Sequence, residues 1–203
     1  MISAERTHET GDTARDRILA SASPLFAERG FDAVSVADIA HASGTSTSLI
    51  YYHFADKQTL FETAVLEAAD LMESVASEAL SASGSPAERL VSFARAYSSL
   101  LGSHPDTMRV LILSVANLQG RLPNEVLDRA SAIVGALAAT IEEGIAEGLF
   151  RPVDPRAAAT ALFAMTNAPV TAQALAVSSP PVTASYEDLG ERMAELFLRG
   201  ILA

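Results

Sequence analysis

The stretch VADIAHASGTSTSLIYYHF at residues 36–54 holds two short helical patterns separated by a glycine. Ser35 is a favourable N-cap for the first helix, and Gly44 can end that helix in a tight turn. The second helix runs over about 46–53. The spacing brings three small or apolar side chains into the seam between the two helices: Ile39, Ala40 and Ile50. Two short helices joined by a glycine turn predict a helix-turn-helix motif.

The side chains outside that seam are of the kinds that bind nucleic acid. Free N–H groups at the start of the second helix favour phosphate, and hydroxyls can reach bases or phosphates. Leu49 suits a thymine methyl group, and Lys57 is the only lysine in the chain. Burial in a core is the alternative for the tyrosine pair, but the neighbouring histidine, lysine and turn favour an exposed face. The candidate DNA-binding residues on this face are Ser46, Thr47, Ser48, Leu49, Tyr51, Tyr52, His53 and Lys57.

Composition excludes several classes of protein. The chain has 203 residues, of which 49% are apolar, so it can bury a core and disorder is expected only at the ends. It has no cysteine, which excludes disulfides, thiolate zinc sites and a cysteine nucleophile. No apolar run reaches the length of a membrane span, and the polar start lacks a signal-peptide core, so we expect a cytoplasmic protein. No catalytic motif is visible and neither His41 nor His104 has a partner at metal-ligand spacing, so we expect no enzyme activity, metal or cofactor.

Helical patterns continue through the rest of the chain and break at glycine and proline residues. We expect an all-α fold of about nine helices, three short ones at the N-terminus and six longer ones behind them. The longer segments are placed at about 56–80, 86–102, 106–119, 123–147, 155–177 and 185–201. The expected domains are a disordered tail at 1–12, a helix-turn-helix domain at 13–57 and a larger helical domain at 58–203.

The charge of the chain argues against a nucleic-acid partner when it is taken alone. The formal net charge is −11, and residues 1–60 hold five basic and eight acidic side chains, a net of −3. DNA binding therefore has to depend on the local face of the second short helix and on dimerisation.

The segment SVADIAHASGTSTSLIYYHFADKQTLFETAV resembles the DNA-binding segment of the TetR family of bacterial transcriptional regulators. The preceding RILASASPLFAERGFDAVSV resembles that family's first helix, so the specific resemblance covers about residues 15–65. The resemblance implies that Thr47, Ser48 and Leu49 read bases in the major groove. It also implies that four residues grip phosphates: Tyr51, Tyr52, His53 and Lys57. Ser35 would cap the supporting helix and reach the DNA backbone.

Two functions remain open from the sequence. The leading one is a repressor that binds a palindromic operator as a dimer and is released by a small, mostly apolar effector. The alternative is a helical ligand-binding or interaction module with weak or lost DNA binding. The acidic balance favours this alternative, as does Ala37, which stands where many family members carry arginine.

The longer helices suggest sites for the partner subunit and the effector. Segments 155–177 and 185–201 carry apolar and small residues on more faces than a monomer can bury, which predicts a homodimer. The residues expected at the effector are Met72, Phe93, Tyr97, Met108, Leu111, Val115, Asn117, Gln119 and Phe163. The alternative for the apolar members of this set is an ordinary hydrophobic core.

Overall fold

A computed structural model describes residues 13–116, 122–174 and 185–202 of the chain. Within these ranges the backbone forms nine helices and one isolated antiparallel bridge, between Phe150 and Leu202. The helices are α1 (Ala14–Ala33), α2 (Val36–Ser43), α3 (Thr47–His53), α4 (Lys57–Ser81), α5 (Pro86–Ser103), α6 (Pro105–Ala116), α7 (Asn124–Ala146), α8 (Pro155–Ala174) and α9 (Tyr186–Ile201). The expected all-α class is confirmed. The expected tail at 1–12 and the helical segments expected at 117–119 and 175–177 lie outside the described residues.

The chain divides into two compact units, the first ending at Phe61 and the second beginning at Glu62, so α4 contributes to both. In the first unit, α1 packs against α2 and α3. The backbone of α1 leaves helical geometry at Gly30 (φ 76°, ψ 163°), a left-handed φ that favours glycine, so the regular helix is interrupted there. The buried apolar side chains of this unit include Ile18, Leu19, Phe26, Val34, Ile39, Ile50, Phe54 and Leu60.

In the second unit α5 lies against α9, and α7 lies against α8. The α5–α9 contact is close at Gly190, where an added Cβ atom would lie only 2.4 Å from the carbonyl oxygen of Ala94. These helices enclose a hydrophobic core. Its fully buried large side chains include Leu90, Phe93, Tyr97, Leu101, Met108, Leu137 and Ile141.

Candidate DNA-binding site and ligand cavity

Backbone hydrogen bonds around Gly44 fix the turn between α2 and α3. Gly44 is left-handed (φ 64°, ψ 30°), and its N–H donates to the carbonyl oxygen of His41 at 3.3 Å. The Thr45 N–H donates to the carbonyl oxygen of Ala40 at 3.0 Å. These two bonds form a Schellman motif, in which glycine is favoured because it has no Cβ atom. The turn therefore ends α2 at a defined residue and sets the point at which α3 begins.

One face of α3 is buried and the other is exposed. Ile50 is buried, as are Ile39 and Ala40 of α2, the helix that α3 contacts. Tyr51 and Tyr52 are 55% and 81% exposed. The tyrosine pair is thus on the surface, not in a core, and it lies beside the buried seam that holds α3 in place.

The other predicted residues of α3 lie at its start and its end. The Ser46 hydroxyl oxygen caps the helix by accepting a hydrogen bond from the Leu49 N–H at 3.1 Å. Ser46, Thr47 and Ser48 are exposed, and Leu49 is half-buried. At the other end the half-buried His53 ring packs edge-on against the Tyr52 ring, with centroids 5.1 Å apart. The helix presents hydroxyls at its first turn and hydrogen-bonding rings at its last.

Ser35 lies one helix earlier, at the N-cap of α2. Its hydroxyl oxygen accepts a hydrogen bond from the Asp38 N–H at 3.1 Å, and its own N–H donates to the Asp38 carboxylate at 2.8 Å. This is a reciprocal capping box. Ser35 is exposed, and so is Ala37 in the first turn of α2. The side chain of Ser35 is therefore first of all a structural cap.

Lys57, at the start of α4, is half-buried and bonded to the backbone of its own unit. Its ammonium group donates to the carbonyl oxygens of Phe31 and Val34, at 2.8 Å in both cases. An ammonium has three hydrogens, so these two bonds leave one for a further acceptor. The sequence-based interpretation as a phosphate contact missed this structural role, because the two carbonyls come 26 and 23 residues earlier in the chain.

Three phenylalanines form a cluster beneath this lysine. The Phe26, Phe31 and Phe61 rings lie within 5.1–5.9 Å of one another, centroid to centroid. The Lys57 ammonium stands 4.2 Å from the centroid of the Phe31 ring, in range for a cation–π contact. The start of α4 is therefore attached to the last turn of α1.

Three of the five acidic residues between positions 13 and 61 are used at helix N-termini. The Asp16 and Asp38 carboxylates accept from the hydroxyls and N–H groups of Thr13 and Ser35, and these bonds hold their pKa values below the usual range. The pKa of Asp56 is likewise lowered, by the Thr59 N–H and then by its hydroxyl. Partial positive charge at helix N-termini offsets part of this negative charge. The negative charge of the unit therefore opposes an anionic partner less than the number of acidic residues suggests.

A cavity of about 240 Å³ lies within the second unit, between α4, α6, α7 and α8. Its described lining residues are Ala69, Met72, Leu111, Ile112, Val126, Arg129, Ala130, Ile133, Phe163 and Asn167. Met72, Leu111 and Phe163 were expected from the sequence. The expected Phe93, Tyr97 and Met108 are not among its described lining residues, and their side chains are fully buried in the helical core. The side chain of Val115 and the whole of Asn117 and Gln119 lie outside the described residues.

A polar pair joins the cavity wall to the core. The Tyr97 hydroxyl donates to the Asn167 side-chain oxygen at 2.8 Å, and the Asn167 amide donates to the carbonyl oxygen of Phe163 at 2.9 Å. Burial raises the pKa of Tyr97 well above its usual value, which keeps the phenol neutral. Tyr97 therefore acts on the cavity through Asn167, a residue that the sequence pattern did not single out.

Arg129 is the charged member among the described lining residues, and sequence reasoning missed it too. Its guanidinium pairs with the Asp70 carboxylate of α4 and lies 3.8 Å from that of Glu73. Its Nη1 also donates to the carbonyl oxygen of Glu125 at 3.1 Å. A signal was present in the sequence, because Arg129 falls on the face of α7 that Val126, Ala130 and Ile133 define at helical spacing.

Metal ligands and membrane helices would point to other functions. Among the described residues, no group of three or more histidine, aspartate or glutamate side chains is placed to hold a metal ion. None of the helices described is both long and apolar enough to cross a membrane.

Two family models match the chain, one in its N-terminal third and one in the part that follows. Residues 18–64 match the model for bacterial regulatory proteins of the tetR family, and residues 83–171 match the model for the tetracyclin repressor-like C-terminal domain. The chain is also 29% identical over 140 residues to the HTH-type transcriptional repressor KstR2 of Mycolicibacterium smegmatis. That match covers 68% of this chain and 68% of KstR2.

Solved structures of the same fold extend over nearly the whole chain. The TetR family transcriptional regulator PfmR from Thermus thermophilus is 26% identical, with a TM-score of 0.79 over 91% of this chain and 98% of PfmR. AibR, crystallised with isovaleryl coenzyme A and operator DNA, is similar in fold, with a TM-score of 0.76 at 23% identity over 91% of this chain and 97% of AibR. With the helix-turn-helix geometry, these matches show that the chain belongs to the TetR family of bacterial regulatory proteins and is a DNA-binding transcriptional regulator, not an enzyme.

Proposed function

We propose that the protein is a repressor that binds a palindromic operator as a dimer and is released by a small, mostly apolar effector. The observation that carries the DNA-binding part is the two-sided α3, with Ile50 buried and the Tyr51–Tyr52 pair exposed. Residues 13–57 form the DNA-binding domain in this proposal, and 58–203 form the domain for effector binding and dimerisation. The repressor acts in the cytoplasm, where its operator is.

The proposed DNA contacts divide into two sets. Thr47, Ser48 and Leu49 lie in the first turn of α3 and read base edges in the major groove. The second set grips phosphates and fixes α3 on the duplex, and it comprises Ser35, Ser46, Tyr51, Tyr52, His53 and Lys57. Lys57 does so with the one ammonium hydrogen that is not bonded to Phe31 or Val34.

The proposed dimer forms through α8 and α9. Leu196 of α9 is 64% exposed, a large apolar surface for a side chain in a long helix. Four exposed alanines follow one face of α8 at spacings of four, three and four residues, which allows a close approach by a partner helix: Ala157, Ala161, Ala164 and Ala168. Two-fold symmetry would place the two copies of α3 about 34–36 Å apart, or at a multiple of that spacing, to match successive turns of DNA.

The proposed effector occupies the apolar cavity and acts through α4. That helix begins at Lys57 in the DNA-binding unit and contributes Ala69 and Met72 to the cavity wall. A ligand that displaces α4 would therefore change the position in which α3 is held for DNA binding. A tenfold loss of operator affinity needs a preference of about 1.4 kcal/mol for the DNA-free arrangement, within the usual range of allosteric coupling. AibR, a protein of similar fold, was crystallised with isovaleryl coenzyme A and operator DNA, which supports a small-molecule site and a DNA site within one protein of this fold.

Selection of fragments from the organism's own DNA by the purified protein tests the proposal. We expect one enriched inverted repeat, whose retention falls with rising salt as phosphate contacts require. Absence of enrichment at low salt, in a sample that sediments as a folded dimer, would instead support a ligand-binding module without DNA function. The net charge of −11 and the exposed Ala37 are the observations that favour that alternative.

A further inference from the structure

Arg129 is an unusual residue in the wall of an apolar cavity. Its described neighbours there are alanine, valine, leucine, isoleucine, methionine and phenylalanine side chains, with Asn167 as the other polar member. The Arg129 side chain is 27% exposed, so it reaches both the cavity and the solvent. A cation in this position can meet a ligand that enters with its apolar part first.

The acidic partners of Arg129 both come from α4. Asp70 and Glu73 lie about one turn apart on that helix, and both side chains are more exposed than the arginine itself. Ion pairs as exposed as these contribute little to folding, so they are easily exchanged for another anion. Arginine is suited to such an exchange, because its planar fork binds a carboxylate or a phosphate in the same two-point geometry.

We propose that the cavity takes a small molecule with an apolar body and one anionic head, a carboxylate or a phosphate, which binds Arg129 in place of Asp70 and Glu73. This inference rests on the proposed effector site and adds the charge of its ligand and the residue that recognises it. After the exchange, the carboxylates of Asp70 and Glu73 lie near the negative charge of the ligand. Like charges repel, so occupancy of the cavity pushes on the helix that begins at Lys57.

Calorimetry on the full-length protein tests the exchange with three probes that share one chain: octanoate, octyl phosphate and octanol. We expect at least one anionic probe to bind about tenfold or more tightly than octanol. Arg129→Gln should bring that probe down to the affinity of octanol, and Asp70→Asn should strengthen its binding. Arg95→Gln is the matched control, because Arg95 pairs with Glu191 in a bridge between two helices outside the cavity lining, and its loss should change nothing.

Each other outcome overturns the inference in a way that separates it from the proposed function. Equal binding of all three probes would leave an apolar effector cavity in which Arg129 has no part. Loss of octanol binding in Arg129→Gln would make the arginine a structural residue, and an unchanged affinity in Asp70→Asn would exclude competition between carboxylate and ligand. If no probe binds, the effector site fails with the inference, while operator binding, measured separately, is unaffected.

Discussion

The ammonium group of Lys57 donates a hydrogen bond to the carbonyl oxygen of Phe31 at 2.8 Å, across 26 residues of sequence. A second bond of the same length reaches Val34, just before α2 begins. The lysine therefore joins the start of α4 to the end of α1 and to the link that follows it. In the proposed function the same side chain also contacts phosphate, so its two roles have to be separated by experiment.

Replacement of Lys57 by alanine should lower both stability and DNA affinity. Loss of two hydrogen bonds from a charged donor leaves the Phe31 and Val34 carbonyls without that partner, and we expect the free energy of unfolding to fall by about 2 kcal/mol. We also expect operator binding to weaken similarly for all sequences, with the salt slope reduced by about 1. Denaturant unfolding and operator titration at several salt concentrations measure the two effects.

Arg29→Ala is a suitable control for Lys57→Ala, because it removes the same charge from an exposed side chain whose ion pair is with the adjacent Glu28. It should leave stability almost unchanged. A reduced stability with an unchanged salt slope in Lys57→Ala would mean that Lys57 is purely structural.

Stability should fall in acid because of the capping carboxylates. The pKa values of Asp16, Asp38, Asp56 and Glu88 are lowered by hydrogen bonds from the groups that they cap. A lowered folded-state pKa gives stability that is present above the unfolded value, near 3.9 for aspartate, and is lost as pH falls through the folded value. We expect the free energy of unfolding to decrease below about pH 5, and Asp38→Asn to flatten part of that decrease. An identical pH dependence in the wild type and Asp38→Asn would contradict this explanation.

Leu196 should be essential for the dimer. A glutamate at this exposed position of α9 would put a charge into the apolar centre of the proposed interface, so Leu196→Glu should sediment as a monomer at micromolar concentration and lose operator affinity. Leu127→Glu is the matched control, because Leu127 of α7 is 46% exposed and lies outside α8 and α9. A wild-type protein that sediments as a monomer with and without DNA would refute the dimer outright.

The α5–α9 contact should not tolerate a methyl group at Gly190. A Cβ atom there would lie 2.4 Å from the Ala94 carbonyl oxygen and 2.5 Å from the Ser98 hydroxyl oxygen. We expect Gly190→Ala to lower the free energy of unfolding by about 1–3 kcal/mol. At Gly135, also in a helix, an added Cβ atom would meet no atom of a neighbouring element within 4 Å. Gly135→Ala should therefore be neutral or stabilising by up to about 1 kcal/mol. Thermal or denaturant unfolding of both variants measures the two changes in the free energy of unfolding. Equal changes would contradict close packing at Gly190.

The helices and the face of α3 were predictable because their signals are local. Ser35, Gly44 and Ser46 are caps or turn residues whose preferences act over three to five positions, and the structure uses them in those roles. The exposure of Tyr51 and Tyr52 followed from the burial of Ile50 beside them.

The cavity was predictable only in part, because its wall is assembled from helices far apart in sequence. Met72, Leu111 and Phe163 line it, but Phe93 and Met108 have the same apolar character and point into the core. Helices that are apolar on most sides give no periodic signal that separates the two cases. Lys57 and Arg129 show the same limit, since their partners are set by tertiary packing.

The central claim is that the protein recognises a specific DNA sequence. The ratio of its affinities for two DNA fragments, measured at one stated salt concentration, tests this claim most directly. The two ligands are the fragment enriched by selection and a scrambled fragment of the same composition. A sequence-specific regulator should prefer the enriched fragment by about a thousandfold or more. Thr47→Ala should lower that ratio by about tenfold or more through the loss of one base contact, while binding to the scrambled fragment stays the same. A wild-type ratio near one would contradict the account, and an unchanged ratio in Thr47→Ala would remove Thr47 from base recognition.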